Sequence, residues 1–455
     1  MSAPDPISTT AAAVAAGRLS AVALAEATLS RLATHGSALH AATRLLDEDA
    51  LEQARRIDAR IAAGEDVGPL AGIAFGVKDL FDVAGLPTTA GSAMRAAAPR
   101  AARDAEAIRR LRAAGAVLVA TLNMDEFAYG FATINAHHGT TRNPHDLARL
   151  AGGSSGGSAA VVAGGLLPIA LGSDTNGSIR VPAALCGVYG LKPTHGGLPM
   201  AGVAPFVDSF DDIGPFAARL DDLLLTYEVL LGSRIAVEAA DGLRVARLGG
   251  WFARNLSAEM AAGIDHVAAT LGAGEAELPR VAAARSAAYV MTAAEGGALH
   301  LPALRRQPLA FDPQTRDRLI AGTMLPFSAY AEAQRFRRWF RAQVLALFDR
   351  FDVLIAPSTG DVAPRIDDPA IVVDGARVPA RSHLGLFTQP ISFIGLPVLA
   401  VPLARPGRLP LGLQLIAAPG GEAKLFALAR RLEDEGLIGV DLAVDTIVSN
   451  GGIAA

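Results

Sequence analysis

Two glycine- and serine-rich turns lie close together in this chain of 455 residues, and their spacing limits the fold more than any other feature. The first reads Ala151-Gly-Gly-Ser154-Ser155-Gly-Gly-Ser158, and the second Gly172-Ser-Asp174-Thr-Asn176-Gly177-Ser178. Between them there is room for one short helix, 158–165, and one strand, 167–171. The same alternation continues on both sides. Residues 72–79 form a short strand-like run bounded by glycine, with Lys78 near its end. A helix is expected over 105–114 and a buried strand over 117–120. Apolar residues recur at helical spacing over 9–32, and a second amphipathic helix is expected over 45–63. Alternating strands and helices imply an α/β layered fold.

The region 220–350 is rich in Ala, Leu, Arg and Glu and reads as mostly helical. Strands are expected at 353–356, 398–403 and 411–417, a last helix at 422–435, and a loose tail over the final dozen residues. No repeat and no low-complexity linker divides the chain. It reads as one domain, 1–455: a motif-bearing core (70–220), a helical, substrate-facing middle (220–350), and C-terminal strands and helix (351–440).

Composition removes several function classes. The formal net charge is -4, with neither a basic field for nucleic acid nor a polybasic patch for a membrane. The weakly polar run 158–172 contains three glycines and Pro168, and falls short of the roughly 18 apolar residues of a membrane span. The N-terminus lacks a positive n-region, so no signal peptide is read and a cytoplasmic location is the default. A lone cysteine, Cys186, excludes an intrachain disulfide framework and argues against a cysteine metal site. It sits in an apolar stretch and reads as a buried structural thiol.

Lysine and arginine total 41, yet only Lys78, Lys192 and Lys424 are lysine. Arginine serves almost wherever a surface cation would do. A buried lysine can lose its proton and arginine effectively cannot, which draws attention to the three that remain.

The chemistry is expected in the two turns. As a flexible linker the first turn would be out of place, since it sits between ordered-looking elements. It lacks the lysine of a phosphate-binding P-loop. Gly153-Ser154-Ser155-Gly156-Gly157 matches G-x-S-x-G, which would make Ser155 a nucleophile, but residues 143–150 do not read as the strand such an elbow requires. No S-x-x-K occurs at any lysine. The second turn suits an oxyanion hole: glycine and asparagine allow consecutive backbone N–H groups to aim at one point, with a serine at its end. A serine nucleophile needs a base. None of the nine histidines lies in either turn, His195 has no identifiable partner, and His137 and His138 read as polar loop residues.

The stretch GGSSGGS followed by GSDTNGSIRVPAALCGVYGLKPTHG resembles the diagnostic region of the amidase signature family. The resemblance extends to Gly76-Val-Lys78-Asp79, to the loop 123–130, to 210–215 and to 396–414, and so covers essentially the whole chain. It implies a large twisted mixed β-sheet flanked by helices on both faces. It also implies a Ser–cis-Ser–Lys set: Ser178 as nucleophile, Ser154 as bridging serine after a cis peptide, and Lys78 as base. The oxyanion hole would be the backbone N–H groups of Thr175, Asn176, Gly177 and Ser178. Asp174 and Arg180 are expected to pin the nucleophile loop, and Lys192 to be structural. No metal or organic cofactor is implied.

Asn176 stands where many members have glycine. With 204–215 and 387–397 it resembles the 1-carboxybiuret hydrolase branch, which implies a small urea-like, carboxylated amide as substrate, ammonia as product, and in some members a small helical partner subunit. Asn176 would then offer its amide to a ureido group or merely shape the turn. The alternatives are a glutamine-hydrolysing A subunit of a tRNA-dependent amidotransferase, a general small-amide amidase, and a non-catalytic assembly protein. A homodimer or heteromer is the default assembly.

Overall fold

A computed structural model describes residues 5–444 and 446, and the expected C-terminal tail falls almost wholly outside them. Eleven strands build one sheet: β1 (Ala42–Leu45), β2 (Ala74–Lys78), β3 (Val117–Leu122), β4 (Ile169–Asp174), β5 (Tyr189–Lys192), β6 (Asp212–Ala217), β7 (Val245–Leu248), β8 (Gly274–Ala276), β9 (Val353–Pro357), β10 (Val398–Pro402) and β11 (Gly412–Ala417). Their spatial order is β1-β3-β2-β4-β6-β5-β10-β11-β9-β7-β8. Pairing is parallel in β3-β2-β4 and again in β9-β7-β8, and antiparallel elsewhere. The sheet is therefore mixed, and helices flank it. Strands β2, β3, β4, β9, β10 and β11 are buried along their whole length. That explains why they read as unbroken apolar runs rather than as alternating ones.

Most of the expected elements lie where the sequence places them; strands β1, β5 and β6 are not among those expected, and three regions differ from the reading. The helical run over 9–32 divides into Ile7–Ala15 and Ala21–His35. Gly17, at φ +69°, follows the first helix, and the Ser20 hydroxyl caps the second by accepting the Ala23 N–H at 3.2 Å. Within 143–157, which reads as one polar loop, a hairpin joins Arg142–Asn143 to Asp146–Leu150. Its turn closes when the Asn143 side chain accepts the His145 N–H at 3.0 Å, a polar turn that hides the strands beside it. The helical middle also supplies strand β7 and the edge strand β8. At four and three residues, with Arg247 and Glu275 inside them, they carry little apolar signal.

The parallel β2–β4 pair positions the site. Val77 faces Leu171, so the carboxyl ends of both strands, Lys78 and Ser173-Asp174, open at one edge of the sheet. Ligands of α/β sheets bind at such edges. Helix Gly156–Ala163, buried all round, packs against β2, β4 and β6 and carries the first glycine-serine turn at its N-terminus. No helix among the described residues is long and apolar enough to cross a membrane.

Candidate active site

Lys78 ends β2 with its side chain fully buried. Its Nζ lies 2.7 Å from Ser154 Oγ and 2.8 Å from Ser173 Oγ. Burial disfavours the ammonium and pulls the lysine down to about 7, against the opposing pull of Asp125, Asp211 and Asp174. The neighbouring Asp79 does not pair with it; that carboxylate accepts from the Thr89 hydroxyl and, at 3.3 Å, from the Gly91 N–H.

The first turn is held rigidly. The Gly153–Ser154 peptide is cis. A Cβ on Gly153 would lie 2.3 Å from Asp125 Oδ2 and 2.6 Å from the Thr133 nitrogen, so this glycine serves close approach rather than flexibility. Asp125 Oδ2 accepts the N–H groups of Ala132 and Thr133 at 3.1 and 2.8 Å, and its Oδ1 lies 3.6 Å from Arg381 Nε. Ser155 is not available as a nucleophile. Its hydroxyl donates to the Ser173 carbonyl at 3.1 Å, and the strand before it, Asp146–Leu150, pairs with its own hairpin partner and, at Arg149, with Arg365, and not with the central sheet.

The second turn hangs on Asp174. This carboxylate accepts the N–H of Gly177 at 2.7 Å and of Ile179 at 3.1 Å, and the Arg180 guanidinium at 3.0 and 2.9 Å. Burial alone would raise Asp174; the charge and hydrogen bonds of Arg180 outweigh it and hold the carboxyl at about 2. Arg180, also fully buried, extends the clamp to Gln414 Oε1 at 2.7 Å, to the Thr388 carbonyl at 3.1 Å and to Ser392 Oγ. Gly177 has φ +135°, and a Cβ there would lie 2.0 Å from Thr388 Oγ1.

One member of the expected oxyanion set is thus engaged elsewhere: the Gly177 N–H is used by Asp174. Among the described residues, no protein acceptor is bonded to the N–H groups of Thr175, Asn176 or Ser178. Three buried donors at consecutive or near-consecutive positions suit a developing oxyanion. Ser178, Thr175 and Asn176 line a small cavity with Ala128, Tyr129 and Gly130 of the loop 123–130, whose resemblance implies a place beside the site, and with the adjoining Phe131. In that loop Phe127 and Ala128 have φ of +52° and +59°, an uncommon conformation that clusters at functional sites. The Ser178 carbonyl accepts the Ser155 N–H at 3.3 Å and ties the two turns together. Larger cavities of about 420 and 660 Å³ lie elsewhere and contain none of these residues.

Several residues singled out in the sequence fall outside the cavity. Lys192 Nζ is held by Asp212 at 2.6 Å and by the Pro193 carbonyl. His195, without an identifiable partner in sequence, pairs with Asp212 Oδ1 at 3.0 Å. His137 rests against buried Glu126 at 3.1 Å. Cys186 is buried, and burial pushes its thiol up, away from reactivity. Ser173 and Asp125 both lie close to the lysine, and the sequence alone does not single them out. For Ser173 the available signal is a polar residue ending an apolar strand beside the lysine strand. Among the described residues no group of three or more His, Cys, Asp or Glu could hold a metal.

Residues 23–426 match the Amidase family. The chain belongs to the amidase signature family. It is a hydrolase of C–N bonds in amides. It is 47% identical over 444 residues to AtzE of Pseudomonas sp. (strain ADP), a 1-carboxybiuret hydrolase subunit, covering 93% of this chain and 97% of that one. It is 36% identical over 433 residues to the A subunit of the glutamyl-tRNA(Gln) amidotransferase of Moorella thermoacetica, covering 85% and 87%. A solved structure from a vestigial protein complex, linked to the origins of an s-triazine catabolic enzyme, superposes with a TM-score of 0.93 at 45% identity. That superposition covers 96% of this amidase and 100% of the other chain.

The clamp on the second turn makes a stability prediction. Arg180→Met leaves Asp174 buried without its cation, and should cost about 3–5 kcal/mol. Urea unfolding monitored by tryptophan fluorescence tests this; a loss below about 1 kcal/mol would show that the pair is dispensable.

Proposed function

We propose that this amidase cleaves a small urea-like, carboxylated amide of the 1-carboxybiuret type through an acyl-enzyme on Ser178, releasing ammonia. The observation that carries the chemistry is the buried Lys78 Nζ, 2.7 Å from Ser154 Oγ, beside a serine turn with three unengaged backbone N–H groups. The substrate class is supported by the 47% identity to AtzE over nearly the full length of both chains.

In this reading neutral Lys78 takes the proton of Ser154, which takes that of Ser178 as its Oγ attacks the amide carbonyl. The oxyanion is met by the N–H groups of Thr175, Asn176 and Ser178, with Gly177 shaping the turn. The C–N bond breaks as the relay returns the proton to the leaving nitrogen. Water then enters, gives its proton to the same relay, and splits the Ser178 ester. Ser173 holds the second contact of Lys78, so the lysine lone pair is left to face Ser154. We read the whole chain, 1–455, as one amidase domain acting in the cytoplasm. The reported complex of the related s-triazine structure supports a small partner protein.

Two measurements test this reading. Ammonia release is measured across carboxybiuret, biuret, oxalurate, malonamate, glutamine and benzamide, with wild type beside Ser178→Ala. Turnover of a ureido acid that is abolished in the variant is expected. Turnover confined to glutamine would favour the amidotransferase reading, and confined to benzamide a general amidase. Ser154→Ala should lower kcat by about 10²–10⁴-fold, the weight of a positioned proton relay. The second measurement is the pH profile. A protonated lysine cannot accept a proton, so kcat/KM should rise with pH through a midpoint near 7 and level off above it. A rate that falls across that interval would exclude Lys78 as base.

A further inference from the structure

Arg381 is buried on the short helix Ala380–His383, and two aspartates from distant parts of the chain meet it there. On one side is Asp312, which caps the helix Pro313–Thr323 by accepting the Gln314 N–H at 2.9 Å. Arg381 Nη1 lies 3.3 Å from both oxygens of that carboxylate, and Nη2 donates to Thr315 Oγ1 at 2.9 Å. On the other side is Asp125. Its Oδ1 lies 3.6 Å from Arg381 Nε, and neither of these buried atoms has a hydrogen-bond partner. A buried donor and acceptor that face one another with no other partner are coupled by charge rather than by a tight hydrogen bond.

Asp125 connects this arginine to the reactive turn. Its N–H donates to the Ser154 carbonyl at 3.3 Å. Burial disfavours the ammonium of Lys78, and of the carboxylates that oppose burial Asp125 weighs most, ahead of Asp211 and Asp174. The other two have partners of their own. Asp174 is paired with Arg180, and Asp211 accepts the Thr175 hydroxyl at 2.6 Å and the N–H groups of Phe206 and Val207. Asp125 is therefore shared between two buried cations, and what one takes the other loses. Glu126 faces Asp312 through the Asp312 N–H at 2.8 Å, with His137 on its other oxygen, and His383 turns to the Pro379 carbonyl. Neither Glu126 nor His383 takes part in the ion pairs of Arg381.

We propose that Arg381 is a positioning residue of the amidase: it shares the Asp125 carboxylate and so limits the hold of that charge on Lys78, while Asp312 sets how much of the arginine's charge is left to do so. This rests on the proposed role of Lys78 as base. The signs follow from the charges. Without Arg381 the Asp125 charge falls on Lys78 alone, the ammonium is favoured, and the amine becomes available only at higher pH. Without the Asp312 charge Arg381 is less neutralised, the ammonium is disfavoured, and the amine becomes available at lower pH. The helix Pro313–Thr323, a wall of the cavity, is thereby coupled to the base on the opposite side.

The test is the rate at which a fluorophosphonate modifies Ser178, followed from about pH 5 to 9. This reaction uses the base and asks for no particular amide. In the wild type the rate should rise through a midpoint near 7. Arg381→Met should move the midpoint up by about half a pH unit or more, and Arg381→Lys, which keeps the charge, should bring most of it back. Arg381→Met also leaves two aspartates buried without their cation, which is costly to the fold. Asp312→Asn is the milder variant, because asparagine still caps the helix, and its midpoint should fall below that of the wild type. If Arg381→Met yields no folded protein, Asp312→Asn decides alone. A merely structural role would lower the rate at every pH and leave the midpoint in place. An unmoved midpoint in either folded variant, or a shift of opposite sign, overturns the role of Arg381 while Lys78 stands as base. A wild-type rate that does not rise with pH overturns Lys78 as base, and the role of Arg381 with it.

Discussion

The buried pair of Asp174 and Arg180 is the interaction on which the rest of the site depends. Neither charge reaches water, so each would be prohibitive alone. Together they saturate one another and recruit the chain around them. Asp174 takes the N–H groups that close the second turn, and Arg180 reaches Gln414, Thr388 and Ser392. A strand end, a turn, a helix start and two C-terminal segments are thereby locked into one arrangement. The geometry left over is the one the proposed chemistry uses. With Gly177 committed to the carboxylate, the flanking N–H groups of Thr175, Asn176 and Ser178 are those left free to face an oxyanion.

The lysine is governed by a balance rather than by one partner. Holding Lys78 near 7 instead of its ordinary 10.5 removes about 5 kcal/mol of preference for the charged form. Burial does this, and the carboxylates of Asp125, Asp211 and Asp174 restrain it. Were burial weaker, the amine would stay protonated and could not accept a proton from Ser154. Were the acids absent, it would be neutral but a poorer base. Asp125 contributes twice, because its other oxygen holds the Ala132 and Thr133 N–H groups against the cis turn.

How far the sequence carries depends on the length scale of the signal. Strands buried on both faces announce themselves as apolar runs, so β2, β4, β9, β10 and β11 can be read directly, and so can the two turns that interrupt them. Lys78 stands out because arginine fills nearly every other cationic position. The strands β7 and β8 are hidden by their shortness and their charged residues, and the 142–150 hairpin by its polarity. The partners that tune the site are not legible. Asp125, Ser173 and Thr388 lie far from Ser178 in the chain or carry no distinctive local pattern, and only the folded sheet brings them together.

The cavity joins two structural layers with different tolerances. Its reactive wall comes from strand ends and turns in which a Cβ at Gly153 or Gly177 has no space, so little can vary there without moving the serines. Its opposite wall comes from the helices Val281–Arg306 and Pro313–Thr323, which supply Thr292 and Arg318. Helix positions facing a cavity can change side chain without changing backbone. In the proposed reading the sheet side carries the acyl-transfer chemistry, and the helix side shapes the space beside it. Asn176 is the point where the two meet: its backbone belongs to the second turn, and its side-chain Nδ2 donates to Thr292 on the helix Val281–Arg306.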